Sequence, residues 1–95
     1  VSRSRDLESW EQLATFAGGG WATLFAWTDG RLYLALTYEQ RALHLLQMSA
    51  EEPRRWSKPV VLYEGSEVHC HNGAVTVVDK TVFISFKLGR NGGLV

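Results

Sequence analysis

The densest chemistry in the chain lies in Glu64-Gly65-Ser66-Glu67-Val68-His69-Cys70-His71-Asn72-Gly73, where a carboxylate, two imidazoles and a thiol fall within five positions. In an extended segment alternate residues share a side, so His69 and His71 would point the same way. With Cys70 or Glu67 they would offer nitrogen, sulfur or oxygen to zinc or copper. A zinc site needs three or four ligands held by a fixed outer shell, which this segment alone does not supply, so no metal and no cofactor is assigned. A nucleophilic Cys70 would need a base in reach and a lowered thiol pKa. The same residues also suit a plain hydrogen-bonding loop around a buried Cys70. A further use is sugar recognition, in which Glu67, His69, His71 and Asn72 supply polar contacts and Trp21 or Tyr38 a stacking face.

The elements that must position these residues announce themselves as repeats. Ser4-Arg5-Asp6-Leu7-Glu8-Ser9-Trp10 has a blurred echo at Ser49-Ala50-Glu51-Glu52-Pro53-Arg54-Arg55-Trp56. In the echo Glu51 stands where the first phrase has Asp6, and Pro53 and one added residue precede the tryptophan, so its turn is expected to differ. Thr28-Asp29-Gly30-Arg31-Leu32-Tyr33-Leu34 is answered fifty positions later by Val78-Asp79-Lys80-Thr81-Val82-Phe83-Ile84, a turn followed by a strand in each case. Repeats of about 45 to 50 residues with several strands each are the signature of β-propeller blades, which bury both faces only when neighbours stack on them. The same offset carried past Val95 returns Ser49 to Ser4, so the chain reads as a closed two-repeat unit, either a two-blade protomer or a unit cut from a longer propeller.

Composition narrows the partners. Ten basic and ten acidic side chains cancel in 95 residues, which leaves no footprint for nucleic acid or an anionic membrane. No apolar run approaches the roughly 18 residues of a spanning helix. The single Cys70 forms no internal disulfide. A chain of this size buries only about two-thirds of its unfolded surface, so partner subunits would add needed stability.

Trp21–Trp27 and Leu32–Thr37, joined by the hairpin signal Thr28-Asp29-Gly30, read as the two inner strands of a first blade. Ala74–Val78 and Val82–Phe86, joined at Asp79-Lys80, read as those of a second. Glu39–Met48 has strong helix propensity, yet its counterpart is the Gly-rich end of the chain running on into Val1-Ser2, so a third strand is expected over Ala42–Met48. Leu7, Trp10, Leu13 and Ala14 likewise fall at helical spacing. Outer strands are expected at Gln12–Phe16 and Pro59–Leu62. The organisation is thus residues 1–20 as an outer-strand segment completing a neighbouring blade, 21–66 as the first blade and 67–95 as the inner part of the second.

The phrase Ser4-Arg5-Asp6-Leu7-Glu8-Ser9-Trp10 and the stretch Arg55-Trp56-Ser57-Lys58-Pro59-Val60 resemble the blades of sialidase-like and of arabinanase- or invertase-like propellers. The first is similar to the Asp box of sialidases, Ser-x-Asp-x-Gly-x-Thr-Trp, with Glu8 at the glycine and Ser9 at the threonine. The resemblance implies a structural turn away from the active end for Ser4 and Asp6, and seam positions between blades for Trp10 and Trp56. It also implies a ligand end formed by the loops leading into the innermost strands and by those joining second to third strands. These loops carry Trp21, Glu67, His69, His71 and Asn72, and Tyr38, Arg41 and Arg90. A glycosidase requires two carboxylates about 5 to 10 Å apart, and only Glu67 lies near the place where arabinanase-like enzymes hold their acids. Arg41 and Arg90 fall short of a sialidase arginine triad.

The expected fold is therefore all-β, with two four-stranded blades per chain, and the expected role is a non-enzymatic module, either lectin-like or a folding and assembly scaffold. A glycoside hydrolase is the alternative. Two blades close no ring, so the partner is a second copy of the chain. A six-bladed trimer with strand exchange suits the sequence grammar best; a unit cut from a five-bladed parent would instead give larger or open assemblies.

Overall fold

The computed structural model describes residues 1–16, 21–39, 41–65, 69–90 and 93–94, with side chains described in 1–16, 21–39, 41–65 and 73–86. Among them the fold is all-β with antiparallel sheets and no helix. The order is β1 (Ser2–Arg3), β2 (Glu11–Gln12), β3 (Ala22–Ala26), β4 (Leu32–Tyr38), β5 (Ala42–Gln47), β6 (Val60–Glu64), β7 (His69–Val78), β8 (Thr81–Arg90) and β9 (Gly93–Leu94). They form a β1-β2 hairpin, a meander β3-β4-β5-β6 and a sheet β7-β8-β9.

Neither helical tendency of the sequence is realised, and the third strand expected over Ala42–Met48 forms as β5. The good helix formers of 42–47 become β5 because β4 and β6 hydrogen-bond it on both sides, which buries Ala42, Leu43 and Leu46. Intrinsic propensity, a few tenths of a kcal/mol per residue, loses to that burial. Leu7 and Trp10, placed on a helical stripe by spacing, are instead exposed, Leu7 within a tight turn and Trp10 just after it.

The centre of the molecule is β4. Leu34, Ala35, Leu36 and Thr37 are all buried, although successive residues face opposite sides of the sheet. Direct pairing puts Leu24, Leu34 and Leu46 on one face and Phe25, Tyr33 and Gln47 on the other. The first face is covered by Val1, Phe16 and Trp56 packed against Leu34, Leu36 and Leu46. Phe16 meets Trp56 edge-on, with centroids 5.4 Å apart. The second face carries the Phe25–Tyr33 stack and is approached by β7 and β8. Val82 shares a cavity of about 200 Å³ with Phe25, Trp27, Tyr33 and Leu45, and Phe86 meets Tyr63 at 5.3 Å. Three layers result.

The two inner hairpins turn differently. Thr28-Asp29-Gly30 is a three-residue loop in which the Arg31 carbonyl accepts from Trp27 and Gly30 takes φ +81°. Asp79-Lys80 is a two-residue loop with both φ positive, at 46° and 61°, the type I′ arrangement whose twist matches the flanking strands.

Strand limits correct the expectations in three places. Residues 69–73, read as loop from their polar character, belong to β7, where His69, Cys70 and His71 pair with Gly89, Leu88 and Lys87. The first outer strand stops at Gln12. There the Val1 carbonyl accepts from both Leu13 and Ala14, and the chain leaves the ladder to lay Phe16 on the core. The other outer strand begins after Pro59, whose missing N–H suits that position, and runs on to Glu64.

A bulge between His71 and Ala74 sets Gly73 against the Trp21 indole. A methyl group on Gly73 would stand 2.6 Å from both the Trp21 ring and the Ser85 carbonyl oxygen, neither of which is a flexible chain end. Gly73→Ala is therefore expected to destabilise the chain by about 1–3 kcal/mol through overpacking. Chemical denaturation of the variant, read by tryptophan fluorescence, checks this; an unchanged midpoint would remove Gly73 from the contact between sheets.

Candidate functional site

The end of the two sheets where β3 and β7 begin, and where β4 and β8 finish, gathers the residues proposed for ligand contact. Trp21 precedes β3, Tyr38 closes β4, Arg41 precedes β5, and the backbones of His69 and Arg90 lie at the corresponding ends of β7 and β8. Backbone bonds knit this end together: the Arg41 amide donates to the Tyr38 carbonyl, Gly65 donates to Arg41, and Thr37 donates to Trp21. The Trp21 amide in turn donates to Thr37 Oγ1 at 3.0 Å. Glu67 lies outside the described residues, as do the side chains of His69, Cys70, His71, Asn72 and Arg90. Among the described residues no group of three or more His, Cys, Asp or Glu side chains is placed to hold a metal ion.

Trp21 and Tyr38, the two aromatic candidates, differ in what remains open. The outer rim of the Trp21 ring is engaged with Gly73 and so serves the contact between sheets. Tyr38 is 41% exposed and stacks on His44, with centroids 5.1 Å apart and planes 12° from parallel. His44 drew no attention in the sequence because it sits amid leucines; its pairing opposite Leu36 puts it on the Tyr38 face. With Phe16, Leu36, Leu46 and Pro59 the stacked pair lines an apolar groove of about 500 Å³. Arg41, whose amide donates to the Tyr38 carbonyl, is exposed.

The Ser4–Trp10 phrase folds as a side-chain-bonded turn at the head of β1 and β2. Ser4 Oγ accepts from the Asp6 and Leu7 amides at 3.3 and 2.9 Å and donates to Asp6 Oδ1 at 3.1 Å. Asp6 Oδ1 also accepts from Glu8 and Ser9 at 2.9 and 2.8 Å. These donors, the Ser9 amide first, hold the Asp6 carboxyl below the usual carboxylate range. At the hairpin base, Arg3 bonds Glu11 at 2.8 Å and Arg54 approaches it at 3.3 Å, and the Arg3 hydrogen bond in particular lowers the Glu11 pKa. The left-handed residue of the turn is Leu7, at φ 66°, not Glu8.

The second phrase keeps half of this design. Ser49 Oγ accepts from Glu51 and Glu52, as Ser4 does from Asp6 and Leu7. The carboxylate that turns back on the backbone is that of Glu52, which accepts from the Arg54 amide at 3.2 Å, rather than that of Glu51. Met48 pairs with Trp56 as Arg3 pairs with Glu11, eight residues apart in each. The added residue therefore moves the tryptophan instead of lengthening the turn. A one-residue shift along a strand reverses the face. Trp56 is directed onto the Leu34–Leu36–Leu46 core, where its Nε1 has no partner among the described residues, while Trp10 is 61% exposed.

No protein-family model, curated protein or solved structure matches the chain.

Two outcomes test the turn. Leu7→Gly, at an exposed side chain with positive φ, should stabilise by about 0.5–1 kcal/mol by relieving left-handed strain, seen as a raised thermal midpoint; a lowered midpoint would mean the side chain matters more than the backbone. For Asp6, a lowered folded pKa means that its stabilisation is present above the ordinary carboxylate pKa near 4. That stabilisation is lost as pH falls through the lowered folded value. The Glu8 and Ser9 amide resonances should titrate together in that acid window, and Asp6→Asn should abolish the step.

Proposed function

We propose that the chain is a non-enzymatic β-propeller module, of the sialidase-like or arabinanase- and invertase-like kind, which completes its ring by self-association. The observation that carries this reading is the relation between the β1-β2 hairpin and the Met48–Trp56 bridge. The hairpin repeats the bridge's pairing and Ser-turn at a 45-residue offset, and in the meander that bridge lies where β5 leads towards β6. By analogy β1 and β2 are the outer part of a sheet whose inner part resembles β7-β8, the Asp-box reading of Ser4 and Asp6 included. The sheet β7-β8-β9 is what a second copy's hairpin would complete, giving the strand exchange expected between protomers.

The β3/β7 end is the ligand end in this reading. Tyr38 offers the stacking face and Arg41 the hydrogen-bond donors for a glycan, with Glu67, His69, His71, Asn72 and Arg90 on the neighbouring segments. Hydrolysis would need a second carboxylate across the scissile bond from Glu67.

Light scattering on the purified chain should give a discrete trimer, three times 10.7 kDa. A stable monomer would sink the ring. Larger open assemblies would favour a unit cut from a five-bladed parent. A glycan array should show binding weakened by Tyr38→Ala, and aryl glycosides should not turn over; turnover abolished by Glu67→Gln would overturn the non-enzymatic reading.

A further inference from the structure

Among the described residues two sheet faces are largely uncovered, one apolar and the other, on β7-β8, setting Ala74, Val78 and Phe83 among the uncharged Thr76, Thr81 and Ser85. On the face of the meander that Val1 and Phe16 half cover, β3 presents Ala22, Leu24 and Ala26, all exposed, Leu24 by 43%. On the outer face of β7-β8, Thr76 pairs with Phe83 and Val78 with Thr81; Phe83 is 59% and Val78 50% exposed. Neither face carries a charged side chain within Ala22–Ala26, Ala74–Val78 or Thr81–Phe86. A strand with one face meant for water alternates apolar with polar residues, and an uncharged, apolar-rich outer face marks a contact surface.

The chain itself shows what fits such a face. Its inner contact sets Val82 of β8 against Phe25 and Tyr33, the aromatic pair on the second face of the meander. The fifty-residue repeat makes Phe83 the counterpart of Tyr33 and Leu32 the counterpart of Val82. Ala26 lies directly opposite Leu32, and Leu24 directly opposite Leu34. The surface that receives a sheet inside the chain is thus repeated on the outside of β7-β8, and the surface that is received is repeated on the uncovered part of the meander.

We propose that the occupant of both faces is a second copy of the chain, with Phe83 and Val78 of one copy seated on Leu24 and its alanine neighbours of the next. This rests on the self-associating module and adds the surfaces that meet. The contact is head-to-tail: the patch that docks differs from the patch that receives, so each copy uses both. It extends the inner stacking of the chain instead of introducing a new kind of interface. Edge pairing through β6 is the rival geometry, because Val60, Val61 and Leu62 are exposed on that edge strand.

Light scattering across a dilution series on the full chain and its variants separates the two. Leu24→Glu and Phe83→Glu each place a charge in the proposed contact and should weaken association at least about tenfold. Leu24→Lys combined with Phe83→Glu in one chain should recover it, and Val61→Lys should leave the mass unchanged. Circular dichroism confirms that each variant is folded; if Phe83→Glu is not, Thr76→Lys on the same face takes its place. Association that survives both face variants but is lost in Val61→Lys would overturn the docking while leaving self-association standing. A wild-type chain that stays monomeric would overturn both.

Discussion

Everything in this fold depends on a strand that tolerates water on neither side. A strand exposes its alternate residues to opposite faces, and β4 buries Leu34 and Leu36 on one and Ala35 and Thr37 on the other. A single sheet leaves both faces wet, so the sequence of β4 demands a layer above and a layer below. The N-terminal segment with Trp56 supplies one and β7-β8 the other. Removing either would expose a row of leucines or an aromatic stack. The short reach of β1-β2, two residues per strand, is enough because Val1 and Phe16 do the covering, while the ladder only anchors them.

The same demand explains what the sequence made legible. Turn residues were readable because they need particular backbone angles: Asp29-Gly30 and Asp79-Lys80 sit at the hairpin tips. Inner strands were readable because both of their faces are apolar. The third strand had to be inferred from its repeat partner, since Ala42–Gln47 carries the local preferences of a helix and becomes a strand only through its neighbours. The first outer strand, read as Gln12–Phe16, shares only Gln12 with β2, and the second, read as Pro59–Leu62, starts one residue before β6 and stops two short of its end. Their limits are set by where one carbonyl, that of Val1, captures two amides, and by where a proline withholds one.

The polar segment around His69 shows a different limit. Histidine, asparagine and glycine in succession look like loop, yet a ladder needs only backbone donors and acceptors, and β8 continues far enough to supply them. Trp21 shows another. An aromatic residue next to a glycine-rich stretch reads as an open platform, whereas its ring is matched to the missing side chain of Gly73, fifty-two positions away. Close approach between distant backbones leaves no local trace in the sequence beyond the glycine itself. His44, hidden among leucines, is the converse: its register opposite Leu36 puts it against Tyr38, which spacing alone would not single out.

The two tryptophans of the repeated phrase differ by a single step along otherwise matching hairpins, and that step gives the molecule a polarity. Trp56 is turned towards the interior of its own chain; Trp10 is turned outward. In the proposed ring Trp56 would be sheltered by its own chain at one seam while Trp10 would take its cover from the neighbouring copy at the next, so the two seams would differ in where their cover comes from.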